Sequence, residues 1–435
     1  MLGDLPAGGS PIVMSSEPRD PKVSVALSPA EKRAYEANIW KFYIQTFLLN
    51  FQLWYPIWII YLQEERGLTL GQVTLVEVPH LLAVVVLQIP AAAMADRWGR
   101  RTTLALGALL SATGVTLFGL ADTYLLILFS YLVWGAAFAL MSGADSAFLY
   151  DSLKALGRED DYQRIYGGAW AVLSAASLAG TLIGAPVAAA TSLSFPIVLS
   201  GGIAALGFLA ALTFTEPRRF RDGEPQLPYG EVMRGSIRLA LHQPTVRYAI
   251  LFFGLLTIGG IAPVFFFQPF LTRHDIDLSQ VGFWQTPTRV MGVVGALVAY
   301  RVVSRIGERG TFFLLPLTMV GSYALLAAWD SVYAQVTFPV MNLAAVMGRP
   351  VVTDYLNRRV PTGQRATVLS LTNLTYCLIL IPLAPIVGLI ADKLGLIAAF
   401  WTGAGISLAG MVVLPLWWQA MAKEELPAEE AVPAA

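Results

Sequence analysis

The sequence predicts an all-α membrane protein, with twelve transmembrane helices in two pseudo-symmetric six-helix bundles. Three observations predict it: an apolar composition, twelve apolar runs in two groups, and an internal repeat. Apolar residues make up 56% of the 435 residues and charged ones 13%, and the mean hydropathy is +0.61. Soluble domains run at roughly 45–50% apolar, because charged side chains must cover their surface. Lipid-facing helices need no such cover.

The chain reads in order as follows. Residues 1–37 are polar and rich in Pro, Ser and Gly, and are expected to form a flexible tail without a secretory signal. Runs long enough to cross the hydrocarbon core follow at about 39–63, 71–95, 102–121, 124–149, 166–190 and 195–215. A basic linker with Pro and Gly breaks occupies 216–246, and its stretch GEVMRGSIRLAL reads either as a surface-lying amphipathic piece or as a solvated hinge. Six more runs lie at about 247–271, 279–303, 311–329, 333–356, 366–390 and 396–418, before a second tail at 421–435. The expected bundles are therefore 38–215 and 247–420.

Charge orients this layout. With both termini cytoplasmic, Lys and Arg divide 24 to 3 in favour of the cytoplasmic side, and Arg289 and Arg349 lie within spans. That is the asymmetry the positive-inside rule demands, and it predicts a multi-pass protein of the cytoplasmic membrane. A net charge of zero argues against a nucleic-acid partner. The single cysteine, Cys377, excludes an internal disulfide, and the three scattered histidines offer no metal-ligand spacing. No metal, cofactor, P-loop or catalytic constellation is evident, so no enzymatic activity and no ATP drive are expected. The partners expected are a small-molecule substrate, protons as the coupling ion and the lipid bilayer, with the chain acting as a monomer.

A shift of 208 residues aligns LGQVTLVEVPHLL (70–82) with LSQVGFWQTPTRV (278–290) and, without a gap, ADRWGRRT with SRIGERGT. Arg97 then pairs with Arg305, Gly99 with Gly307 and Arg101 with Arg309. Parallel duplicated bundles imply a central cavity that opens to one side at a time.

The twelve runs, the repeat and the stretch AAAMADRWGRR together resemble the major facilitator superfamily over about residues 38–420. The family's motif between spans two and three appears as Asp96, Arg97, Gly99, Arg100 and Arg101, with Ala92 in place of the leading Gly. Its second copy is degraded, with Ser304 at the Asp position and Tyr300 at the Gly. The resemblance implies a gate in which Asp96 accepts hydrogen bonds from the start of span eleven, near Arg365. The arginines can then reach Asp96 or Asp151. The alternative is positive-inside anchoring alone, which leaves Asp96 and Gly99 without a purpose. SLAGTLIGAP, with Gly180, Gly184 and Pro186, is a loose version of a motif of drug/proton antiporters, so bacterial drug-efflux-like members are the nearest resemblance.

Ionisable groups inside a span cost about 2.5–3.5 kcal/mol on insertion scales and so need a reason. Asp145 near the end of span four and Arg349 near the end of span ten sit at similar depth, and can face one another as a charge lock, a substrate site or a structural bridge. Glu77 and His80 bracket Pro79 in span two; Glu77 is a candidate proton carrier, His80 can share the proton, and snorkelling to the interface is the alternative. Arg289 in span eight is a candidate partner for Glu77. Asn50, Gln52, Trp54 and Gln268 are candidates for the cavity wall in the aromatic-rich spans one and seven, whose other aromatics suit lipid-facing belts. These features point to a secondary transporter, expected to drive proton-coupled efflux of small amphipathic or drug-like molecules. Proton-coupled uptake of a metabolite, and a receptor or lipid flippase on the same fold, are the rival functions.

Overall fold

The structure is a computed structural model that describes residues 27–217, 238, 243–360 and 365–424. The expected amphipathic piece of the linker falls mostly outside the described residues, as do residues 1–26 and 425–435 of the two expected tails. The described residues form helices and no strand. The first half comprises α1 (Pro29–Asn50), α2 (Trp58–Ile60), α3 (Leu70–Leu75), α4 (Glu77–Trp98), α5 (Arg100–Leu120), α6 (Tyr124–Met141), α7 (Ala144–Ala155), α8 (Tyr162–Ala190) and α9 (Phe195–Leu212). The second comprises α10 (Pro244–Ile261), α11 (Phe267–Arg273), α12 (Val281–Ala328), α13 (Thr337–Arg359), α14 (Arg365–Leu394) and α15 (Leu396–Glu424).

Ten stretches among the described residues are long and apolar enough to cross a membrane. One of them, Leu278–Ala328, is two helices joined across Gly307, whose φ of 73° and ψ of 173° are not helical. Span one is broken rather than continuous, which is why it is not among the ten. This chain is a multi-pass membrane protein, and the count agrees with twelve spans.

Four departures from the expected spans have local causes. Helix α1 starts at Pro29, inside the stretch expected to be tail, because Ser28 and Glu31 form a reciprocal capping box with proline at the first helical position. Span one stops at Asn50, and residues 51–57 are non-helical, as the restriction that Pro56 puts on Tyr55 requires. The chain resumes as one α-turn and a π-turn at Tyr61–Glu65. Span seven carries the corresponding defect, a π-turn at Ala262–Phe266 around Pro263. Span four, expected to run unbroken over 124–149, is interrupted at Ser142 and Gly143, so Asp145 stands in the first turn of the separate α7.

Across the halves, α3 and the start of α4 pack on α14, while α8 packs on the first part of α12. Gly71 and Gly388 let α3 and α14 meet in direct contact: a Cβ on Gly71 would lie 2.8 Å from Asp392 Oδ2. We call the end of the molecule carrying residues 96–101 the motif end, and the opposite one the far end.

Candidate functional site

The site grows from the broken spans. Where α1 ends, backbone groups freed from the helix find other partners: Leu53 N–H donates to Ser200 Oγ at 3.0 Å. A Cβ on Gly180 would meet the Gln52 backbone at 2.9 Å, and one on Gly184 would collide with Leu53 O. Glycines are therefore what let α8 lie against the unwound segment. The break turns Trp54, Tyr55 and Trp58 inward.

These rings meet Tyr131 and Trp134 from α6 and Tyr376 from α14 around a chamber of about 240 Å³ between the halves. Trp54 and Trp134 cross edge-to-face at 5.5 Å, and Trp58 and Phe265 at 5.9 Å, the geometry aromatic quadrupoles prefer. Glu77 is the one charged group in the wall. Among the described residues its carboxylate has no hydrogen bond and no ion pair.

A second cavity of about 530 Å³ extends toward the motif end and shares Trp134 with the first. Asn50, Gln52, His80, Asp145 and Arg349 line it. Asp145 Oδ1 accepts from Ser146 N–H at 2.6 Å. Asp145 and Arg349 thus share a cavity, but among the described residues no ion pair joins them. A third pocket of about 250 Å³ opens beside Arg349 within the second half.

The structure separates several residues that the sequence grouped. Glu77 and His80 are one turn apart yet face different cavities. His80 is 8% exposed and lies on Trp134, with ring centroids 4.6 Å apart, and its Nδ1 is unpartnered. Arg289 does not pair with Glu77: its guanidinium stacks 3.5 Å above the Tyr55 ring, a cation–π contact between the halves. Trp54 joins the chamber wall, whereas Gln268 lines none of the three cavities. At 1% exposure, its Oε1 accepts from Ile59 N–H at 2.9 Å and from Ile60 N–H at 3.3 Å, and its Nε2 donates to Tyr55 O at 3.0 Å. Those are donors and an acceptor that the break in span one released, so Gln268 ties the halves together.

Asp392, which sequence reasoning did not single out, makes the second far-end tie. Its Oδ1 accepts from Leu70 N–H at 2.7 Å and its Oδ2 from Gly71 N–H at 2.8 Å, so one carboxylate takes the two orphan donors at the start of α3. A lone acid at the end of span eleven was the available signal.

At the motif end, Gly99 has φ 101°, and Glu216 accepts from Arg100 N–H and Arg101 N–H, both at 2.8 Å. Arg100 Nη1 lies 2.6 Å from Asp151 Oδ2, and Arg101 Nη2 donates to Leu212 O at 2.6 Å. Asp96, Arg97, Arg305 and Arg309 are exposed. The contact expected of Asp96 is with the start of span eleven, near Arg365; Arg365 Nε donates to Val360 O at 3.1 Å, and residues 361–364 just before it lie outside the described residues.

Known proteins share this fold. The sequence profile of the Major Facilitator Superfamily matches residues 42–385. Among solved structures, a mutant of the nucleoside transporter NupG superposes with a TM-score of 0.78 at 13% identity, over 87% of this chain and 99% of that one. A bacterial homolog to the human lysosomal transporter Spinster, inward-facing and unoccupied, superposes with a TM-score of 0.68 at 16% identity, over 94% of this chain and 100% of that one. Identities this low speak to fold alone. No match is found among curated proteins. The profile runs from span one into span eleven, through both bundles and the cavities between them, and on that evidence the chain belongs to the Major Facilitator Superfamily.

Proposed function

We propose that this chain is a proton-coupled exporter of small amphipathic molecules, working by alternating access in the cytoplasmic membrane with both termini inside. Family membership supplies the coarser part, a secondary carrier of a small-molecule substrate in a lipid bilayer. The finer part rests on one observation: the aromatic chamber between the halves contains a single carboxyl, Glu77, without a protein partner among the described residues. A carboxyl that no cation neutralises can take up and release a proton as the chamber changes sides. The apolar walls suit ring-bearing substrates. In this reading the bundles 38–215 and 247–420 rock about the 216–246 linker, and the motif end, rich in arginine, is cytoplasmic. The likeness of 177–186 to a drug/proton antiporter motif supports export over uptake.

The test is flux in proteoliposomes with an imposed pH gradient. Export predicts substrate movement against the proton flow, dissipated by a protonophore and absent in Glu77→Gln. Movement with the protons would replace export by uptake. Flux indifferent to the gradient would end the proton-coupled reading.

A further inference from the structure

We propose that the pocket beside Arg349 is an oxyanion subsite, so that the carried molecule is an amphipathic organic anion with its apolar part in the aromatic chamber and its carboxylate or phosphate on Arg349. The proposal rests on the transport reading for its purpose, while the binding it asserts is measurable without transport.

The pocket, about 250 Å³, is lined by Phe253, Arg349, Thr353, Leu369, Thr372 and Asn373, among other residues, and by no acid. Arg349 stands on α13 within a span, exposed to the cavities beside it, and among the described residues has neither an ion pair nor a hydrogen bond. An arginine in such a position is costly unless something answers its charge. The Thr353 hydroxyl and the Asn373 amide are likewise without protein partners among the described residues. Thr372 differs, because its hydroxyl donates to Leu369 O at 2.6 Å. One wall therefore presents a guanidinium fork, a hydroxyl and an amide N–H₂, a donor set that matches an oxyanion and offers a cation little.

This pocket and the aromatic chamber lie one after the other along the same two helices. Phe253 lines the pocket, and Thr257 and Ile261, one and two turns along α10, line the chamber. On α14, Thr372 lines the pocket while Tyr376 and Leu380 line the chamber. The Phe253 and Tyr376 rings, 6.2 Å apart, stand at the junction. Four to eight residues of helix span about 6–12 Å, so a ring separated from its anionic head by a few methylenes would reach from the chamber to the pocket once the Phe253 and Tyr376 rings part. Asp145, across the larger cavity on the first half, discourages binding of the head on that side, which gives the ligand a single orientation.

The test uses the purified full chain in an uncharged detergent, with binding read by tryptophan fluorescence. The probes are 4-phenylbutyrate, 4-phenylbutyl phosphate, the neutral 4-phenylbutanamide and the cation 4-phenylbutylammonium. The two anions are expected to bind at least about tenfold more tightly than the amide, as a charge-assisted fork implies. Arg349→Gln is expected to erase that preference while leaving amide affinity unchanged, and Arg349→Lys to retain part of it. Because the amide reports on an intact chamber, a misfolded variant is recognised by losing both. Equal binding of the amide, preferred binding of the ammonium, or an anion preference that survives in folded Arg349→Gln overturns the subsite. Whichever of carboxylate and phosphate binds more tightly identifies the natural head group. Anion binding without gradient-coupled flux would leave the subsite standing and remove the transport reading. Coupled flux without anion preference would do the reverse.

Discussion

Arg100 Nη1 lies 2.6 Å from Asp151 Oδ2, and one repeat of 208 residues later the pair recurs with its charges exchanged: Arg359 Nη2 lies 2.8 Å from Glu308 Oε2. Each bridge ties the helix that follows a glycine break to the end of the next span in the same half. Thr103 and Thr311 keep the same register, their hydroxyls donating to Gly99 O and Gly307 O at 2.8 Å. Duplication has preserved the contact and not the sign of either partner. The two bridges differ in burial, with side chains 21% and 8% exposed in the first and 35% and 31% in the second. Asp151→Asn is therefore expected to lower stability by about 1–3 kcal/mol, because it leaves the half-buried Arg100 guanidinium without its counter-charge. Glu308→Gln should cost about 0–1 kcal/mol, as for an exposed pair. Thermal unfolding in detergent reads the difference, and exchanging the charges of Arg100 and Asp151 together should recover most of the loss. Equal losses at the two sites would contradict the role given to burial.

The two glycines that open these helices make a second, graded prediction. Gly99 (φ 101°, ψ 152°) and Gly307 (φ 73°, ψ 173°) both occupy a region open essentially to glycine, so alanine at either carries a strain of about 1–3 kcal/mol. Around Gly307 nothing lies within 4 Å of an added Cβ, whereas at Gly99 it would stand 2.9 Å from Glu216 Oε2. Gly99→Ala should thus be the more damaging, because it also displaces the carboxylate from the start of α5. A Gly99→Ala, Glu216→Ala double variant should lose less than the sum of the two single changes.

Much of this was legible in the sequence, for physical reasons. The apolar runs and the lysine and arginine distribution gave the layout because a bilayer constrains every helix in the same way. Matching identical residues found Gly99 and Gly307, whose backbone role admits no substitute. Asp151 is one of the two partners expected for the motif arginines, and Arg100 takes it; the repeat pair Glu308–Arg359 could not be found by matching, since an exchanged ion pair has no identity to match. Arg289 was recognisable as a buried cation needing an answer, but whether a carboxylate or an aromatic face answers it depends on where the Tyr55 ring points. That in turn follows from unwinding at Pro56. Gln268 was taken for cavity lining for the same reason, because its partners are backbone groups that exist as free donors only once span one is broken.

Glu77→Gln is expected to abolish gradient-driven flux while leaving the melting temperature near that of the unchanged protein. The second half of the prediction follows from its surroundings: among the described residues no protein group pairs with the Glu77 carboxylate, so neutralising it strands no partner. Asp145→Asn is a useful contrast, because Asp145 Oδ1 accepts from Ser146 N–H in the first turn of α7. A Glu77→Gln protein that transports normally would remove this residue from the coupling scheme.

Outside the membrane, Asp330 is bonded to Arg273, with Oδ2 2.7 Å from Nη2. That hydrogen bond holds the Asp330 carboxyl below the usual carboxylate range. A depressed folded-state value means that the bridge stabilises the protein above the unfolded carboxylate range, near pH 4, and that this support is lost as pH falls through the folded value. Stability should therefore be flat with respect to this pair from pH 6 to pH 8, by the same reference values. Asp330→Asn should flatten the acid limb of the stability profile and lower the neutral region by an amount that does not vary with pH.

The far-end ties predict how the populations of the transport cycle respond. Asp392 satisfies Leu70 N–H and Gly71 N–H, and Gln268 satisfies Ile59 N–H and Ile60 N–H, so both hold the halves together only while the far end is closed. Removing either carboxylate or amide takes stabilisation from one state and not from its opposite, which shifts the equilibrium by the full differential energy. Two hydrogen bonds to a charged group are worth about 1.5–3 kcal/mol each, enough to move a population by at least about tenfold. With Cys377 replaced by serine, a cysteine placed at Val264 in the chamber wall should react slowly with a membrane-impermeant maleimide added from the far side. Asp392→Ala should speed that reaction at least about tenfold, and Gln268→Leu should speed it too. Labelling unchanged by both variants would mean that helix packing at Gly71 and Gly388 closes this end without help from either side chain.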